Sequence, residues 1–201
     1  MHASFARDRF DQARLINIAN ALTAFRVLLV PLFAHLLISG RIRHALAVFA
    51  ACGISDALDG LLARALRQRT VVGYYLDPIA DKLLMATSFI VLAYVKILPE
   101  WLTILVISRD LFILIGSALI LLLLDSGSIK ATSLSKVNTS VQILTVVYFL
   151  AVRSFPWMGN AMAAEGWEPI VTGVVVGLCA LTTAASGVHY LFVGFRKLSD
   201  A

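Results

Sequence analysis

Charge is what this sequence has least of. Of its 201 residues only 14% are Asp, Glu, Lys or Arg, against 60% that are hydrophobic, and the mean hydropathy is +0.88. A soluble domain carries far more charge, and a chain of this length cannot hide so much apolar surface in one core. The bilayer is the solvent that suits it. Cysteine is nearly absent: Cys52 and Cys179 both lie in apolar stretches, which argues against a disulfide framework and leaves two small packed side chains. The net charge of +5 comes with no basic tract and no basic patch interleaved with aromatics. Nucleic-acid binding is therefore not expected, and the scattered Lys and Arg read as membrane-surface and topology charges. Internal repeats, low-complexity runs and linkers are missing as well. The charged opening shows no cleavable signal peptide. One membrane domain over residues 1–201 is expected.

What the chain does have is six apolar segments, over residues 21–39, 45–62, 83–98, 101–124, 139–152 and 171–194. Several approach the roughly 20 residues that cross a hydrocarbon core. Backbone polar groups must be satisfied inside lipid, and no short alternation suggests a barrel, so helices are expected. The expected fold is an all-α integral membrane protein with six transmembrane helices. Residues 1–15 mix Phe5, Phe10 and Leu15 with Arg7, Arg9 and Arg14, a pattern open to an interfacial amphipathic helix or a solvated tail. Six crossings put both termini on one side. That side carries Arg7, Arg9, Arg14, Arg64, Arg67, Arg69, Lys82, Lys130, Lys136, Arg196 and Lys197; the other carries Arg41, Arg43, Lys96 and Arg153. The richer side is expected to be cytoplasmic. Arg26 and Arg109 fall inside apolar segments.

Four acids stand at the boundary of the second and third segments: Asp56, Asp59, Asp77 and Asp81. An acid at membrane depth costs roughly 2.5–3.5 kcal/mol on insertion scales. Four together also repel, and a cation is the simplest way to keep such a cluster ionised. Asp56 and Asp59 share one helix face at i,i+3, and Asp77 and Asp81 share another at i,i+4. Pro78 after Asp77 suggests Asp77 as N-cap and Pro78 as the first helical residue. All-oxygen ligation suits Mg²⁺ or Mn²⁺. Gly60 and Gly73 allow close approach, and Arg64 offers a fork for phosphate oxygens. Together these suggest a diphosphate site; a salt-bridge network tying two helices is the alternative. An ion or proton transporter is the non-enzyme alternative, since intramembrane acids also mark such paths.

Read as a string, Asp56-Ala-Leu-Asp59-Gly60-Leu-Leu-Ala63-Arg64, then Gly73, Asp77 and Asp81 at the intervals in this chain, resembles the signature of the CDP-alcohol phosphatidyltransferases. Asn17-Ile-Ala-Asn20-Ala-Leu-Thr23-Ala-Phe-Arg26 is similar to the family's first-helix opening, with Ala19 where Pro is usual. Leu76-Asp77-Pro78-Ile-Ala-Asp81-Lys82 is similar to the branch that makes phosphatidylglycerol-type lipids. The resemblance implies a six-helix fold, a homodimer, and an active site at the cytoplasmic membrane surface (of a bacterial inner membrane, or the matrix side in an organelle). It implies that Asp56, Asp59, Asp77 and Asp81 hold one or two divalent ions, Mg²⁺ or Mn²⁺, and that Asp81 is the general base. It assigns Asp56, Gly60, Ala63, Arg64, Thr70 and Gly73 to the CDP pocket of a CDP-diacylglycerol substrate, with Asn20 and Thr23 contributing. Direct displacement is the expected route, with a covalent aspartyl intermediate as the alternative.

Two acceptors fit the resemblance, phosphatidylglycerol (giving cardiolipin) and glycerol 3-phosphate. The second needs clustered cations. Relatives that use it typically show Arg-Glu with a further Arg eight positions on, and a Lys-x-Lys-Thr stretch. Here the first reads Arg109-Asp110 with Ser117, and the second Lys136-Val-Asn138-Thr139. These departures, and the run Leu181-Thr-Thr-Ala-Ala-Ser186, resemble the single-site cardiolipin synthases, so phosphatidylglycerol is the favoured acceptor. Arg109, Lys136 and Asn138 are candidate acceptor contacts; snorkelling at the interface is the alternative for the two cations. Gly173-x-x-x-Gly177, Ala184, Ala185 and Gly187 suggest close helix packing, either in a dimer face or within the chain. His35, His44 and His189 are isolated and read as interfacial or packing residues.

Overall fold

The computed structural model describes residues 18–65, 71–124 and 133–199, and within them the side chains of 23–56, 80–117 and 133–194. All regular structure in this set is helical. The helices are α1 (Ile18–Ile38), α2 (Ile42–Ala65), α3 (Val71–Tyr94), α4 (Glu100–Leu124), α5 (Ser133–Ser154), α6 (Pro156–Ala164) and α7 (Glu168–Ser199). Each of the six apolar segments overlaps one long helix; the short α6 is the addition. Two helical stretches, Ser133–Ser154 and Glu168–Gly194, are by length and hydropathy sufficient to cross a membrane, and Thr23–Ile38 is a shorter apolar helix. Large apolar side chains face outward: Leu28 is 71% exposed, Phe112 68% and Phe192 72%. A soluble surface does not carry so many, and lipid accepts them.

The expectation of an N-cap at Asp77 is corrected. Helix α3 begins at Val71, so Asp77 and Pro78 lie within it. Proline in a helix interior forfeits one backbone bond. The apolar residues ahead of it (Val71, Val72, Leu76) favour continued helix, because an unravelled backbone in an apolar setting leaves several groups unpaired.

The chain divides into two compact units, one running to Ser88 and one starting at Phe89, with the boundary inside α3. In the first unit α1 and α2 form an antiparallel hairpin through the turn at Ser39–Arg41, where Gly40 takes φ +72°. The buried residues of α1 recur at alternating intervals of three and four: Thr23, Arg26, Val30, Phe33, Leu37. Those of α2 do the same at Ala45, Phe49 and Cys52. Phe33 and Phe49 meet with ring centroids 5.8 Å apart. In the second unit α7 packs on α4 and α5, and α6 bridges α5 and α7. Thr103 at the start of α4 donates to the Phe89 carbonyl at 3.1 Å.

Candidate active site

The α1–α2 register leads from an apolar middle to a charged end. Phe33 of α1 meets Phe49 of α2 in that middle. Two turns further along comes Arg26 with Asp56. The same repeat carries on to Thr23 in α1, fully buried.

Arg26 is a residue that sequence reasoning named without giving it a role at the site. Its side chain is 1% exposed, and one nitrogen serves two carboxylates. Nη1 lies 3.2 Å from Asp56 Oδ1 and donates to Asp81 Oδ1 at 2.7 Å. Asp56 comes from α2 and Asp81 from α3, so the guanidinium joins three helices. The two carboxylates are 51% and 47% exposed. Each is therefore held against a buried arginine while about half of its own side chain stays accessible. The signal that could have found Arg26 was its position. An Arg inside an apolar segment costs roughly 2.5–3.5 kcal/mol to insert and marks a functional partner by default.

Asp59 and Asp77 lie in the same two helices as Asp56 and Asp81, but their side chains are outside the described residues. So are those of Asn20, Gly60, Ala63, Arg64 and Gly73, all within helices, and Thr70 lies outside altogether. Among the described residues no third His, Cys, Asp or Glu joins Asp56 and Asp81. The fit to a hard cation rests on those two. Both are oxygen donors, they come from adjacent chain segments, and one positive nitrogen already reaches an oxygen of each. Such a donor set suits Mg²⁺ or Mn²⁺.

The acceptor candidates lie in the second unit. Arg109 is buried and engaged from three helices. Its Nη1 donates to Asp110 at 2.7 Å, its Nη2 donates to Ser135 at 2.8 Å and also to Ser186, and its guanidinium carbon stands 5.9 Å from the Tyr190 ring centroid. This is an internal clamp of α4, α5 and α7, in which Arg109 does not snorkel. Asn138 is fully buried and accepts from Thr183 at 2.9 Å, while its Nδ2 has no partner among the described residues. Gln142, one turn on, also buries an unpartnered Nε2. Lys136 is exposed. Ser117 donates to the Leu114 carbonyl of its own helix at 2.9 Å. Sequence reasoning named Arg109 and Asn138 but not their contacts with Ser135 and Thr183, which look ordinary without the α5–α7 register.

A groove of about 490 Å³ opens at the junction of α3 and α4, lined by Lys96, Pro99, Trp101, Phe149 and Thr172 among others. Its polar groups are already matched. Lys96 pairs with Glu100, and Tyr148 bonds Thr172 at 2.8 Å. It carries no chemistry comparable to the carboxylate pair.

Residues 16–185 match the family described as CDP-alcohol phosphatidyltransferase. A Mycobacterium tuberculosis protein named "Probable phosphatidylglycerophosphate synthase" is 34% identical over 193 residues, covering 93% of this chain and 86% of that one. The human "Cardiolipin synthase (CMP-forming)" is 32% identical over 198 residues, covering 90% of this chain and 63% of that one. A Drosophila melanogaster "Probable cardiolipin synthase (CMP-forming)" is 30% identical over 207 residues, covering 92% and 61%.

Proposed function

Because the chain belongs to the CDP-alcohol phosphatidyltransferase family, we propose that it moves a phosphatidyl group from CDP-diacylglycerol to phosphatidylglycerol, forming cardiolipin and releasing CMP. The observation that carries the catalytic part is the convergence of Asp56 and Asp81 on Arg26. Asp56, Asp59, Asp77 and Asp81 hold one or two divalent ions, Mg²⁺ or Mn²⁺. Bound there, the metal supplies positive charge beside the diphosphate. Gly60, Ala63, Arg64, Thr70 and Gly73, with Asn20 and Thr23, line the CDP pocket.

Asp81 is the general base. Its carboxylate takes the proton of the acceptor hydroxyl, whose oxygen attacks the lipid-side phosphorus. The P–O bond to CMP breaks, and CMP leaves with that electron pair. Arg64 offsets charge on the phosphate oxygens. Direct displacement is favoured because each aspartate already has a metal role.

The acceptor reading is supported by what the second unit offers. A phosphate monoester is nearly dianionic and calls for a cluster of free cations. Ser117 and Asn138 bring none, Arg109 is committed to Asp110, Ser135 and Ser186, and Lys136 is exposed near the start of α5. Arg109, Lys136 and Asn138 are taken as the acceptor side. Glycerol 3-phosphate is the second reading, favoured by the name of the mycobacterial relative.

The protein is taken to be a single membrane domain of six crossings and a homodimer. Both termini and the active site face the cytoplasm, or the matrix in an organelle. One assay tests the acceptor. Purified protein receives CDP-diacylglycerol, Mn²⁺ and either acceptor. Cardiolipin from phosphatidylglycerol is expected, with little product from glycerol 3-phosphate. Efficient phosphatidylglycerophosphate formation overturns the acceptor and leaves the aspartate roles standing.

A further inference from the structure

We infer that Arg26 is a positioning residue that draws the carboxylates of Asp56 and Asp81 together and so sets the affinity of this site for a divalent cation. The inference rests on the metal-dependent transfer proposed above and assigns a role to a residue outside its list of ligands.

Three observations carry it. The first is that the contact is shared by one atom. Nη1 lies within ion-pair distance of one oxygen from each aspartate. A pin between helices needs only one of these contacts, whereas a shared nitrogen fixes the spacing of the two carboxylates. The second is the direction of approach. Arg26 is 1% exposed, but Asp56 and Asp81 are about half exposed. The arginine holds them from the buried side, and about half of each carboxylate side chain remains accessible. The third is redundancy. The α1–α2 hairpin is already closed by Val30, Phe33, Leu37, Ala45, Phe49 and Cys52, all buried, so its assembly does not call for a charge at the end of the stripe. Groups that orient metal-ligating carboxylates from behind are worth about 10- to 100-fold in metal affinity.

The experiment measures Mn²⁺ binding, free of turnover. Full-length protein in phosphatidylcholine nanodiscs is titrated with Mn²⁺, and the free ion is read by electron paramagnetic resonance. Unfolding midpoints with and without EDTA report the fold. Arg26→Gln is expected to bind Mn²⁺ at least about tenfold more weakly than the parent. Arg26→Lys returns a single nitrogen to the same place and is expected to stay within about threefold of the parent. A purely structural pin predicts otherwise: both variants unfold at lower temperature, and the folded fraction binds Mn²⁺ as the parent does. Unchanged or tighter binding in Arg26→Gln overturns the inference while the metal reading survives. A parent that binds no Mn²⁺ overturns both. If Arg26→Gln does not fold, Arg26→Lys decides. Parent-like affinity at a parent-like unfolding midpoint supports positioning by the shared nitrogen; parent-like affinity at a lowered midpoint is the structural pin, and either that outcome or a tenfold loss of affinity overturns the inference.

Discussion

Asp81 and Arg109 show how differently two charged side chains can be used in one chain. Asp81 is half exposed and touches Arg26 on its inner side, an arrangement suited to a base that must meet a substrate proton. Asp81→Asn keeps an acceptor for Arg26 but loses the anion. Turnover should fall at least about 100-fold, with an unfolding midpoint within a few degrees of the parent; near-normal CMP release removes Asp81 from the mechanism. Arg109 instead is enclosed by partners from α4, α5 and α7. Arg109→Ala removes the guanidinium that pairs with Asp110, a carboxylate only 17% exposed. Breaking such a pair from one side costs about 3–5 kcal/mol, readable as a large drop in thermal midpoint in detergent. Arg109→Lys should recover little, since an ammonium cannot copy the fork. A midpoint unchanged in Arg109→Ala would return Arg109 to a purely substrate-facing role. The aspartates could be read in the sequence because acids are rare in apolar surroundings. Arg26 stood in the same surroundings, but its partners are distant in sequence and only the fold identifies them.

At the scale of elements, the positions of the helices were legible and their inward faces were not. A helix in water advertises its buried stripe by polar residues on the other side. In lipid that contrast disappears. Leu28 and Phe33 are equally apolar, yet one is 71% exposed and the other fully buried. The α5–α7 seam adds a polar version of the same problem. Asn138, Gln142 and Thr145 recur at four and three along α5, and Val176, Cys179, Thr183 and Ser186 at three, four and three along α7, all buried. The rungs that join these faces include Asn138–Thr183 and, further along, Tyr148–Thr172. Thr183→Val keeps the shape and removes the donor to Asn138. Hydrogen bonds between membrane helices average about 0.6 kcal/mol and reach about 1.7, so a loss in that range is expected from a thermal or denaturant series. No loss would mean that Asn138 finds another donor. The paired glycines of this helix also resolve one alternative. A methyl group at Gly173 or Gly177 meets nothing within 4 Å, whereas one at Gly187 would touch Arg109 Cγ at 3.6 Å. Packing among the described residues thus engages Gly187 and leaves the Gly173–Gly177 face open.

Over the whole molecule, the tryptophans bear on how the chain sits in a bilayer. The chain has three, and all belong to the second unit: Trp101 at the start of α4, Trp157 in α6 and Trp167 just before α7. They are 54%, 70% and 54% exposed. The groove residues Lys96, Trp101, Phe149 and Thr172 line one space, which brings the start of α4, the last turns of α5 and the start of α7 to the same end of this unit. Tryptophan gathers where hydrocarbon gives way to headgroups, since its ring is apolar and its N–H is wet. If this end lies at one membrane face, as the six-crossing scheme has it, all three indoles sit at a similar shallow depth. Fluorescence in nanodiscs should then be quenched more by lipids brominated near the headgroup than by lipids brominated near the chain terminus. Trp157→Phe, which removes the most exposed indole, should lower the total signal and keep that order. Stronger quenching from the chain terminus would put the tryptophans at the midplane and break the six-crossing scheme. The same depth profile in Asp81→Asn would show that the tryptophans report bilayer placement independently of the chemistry at Asp81.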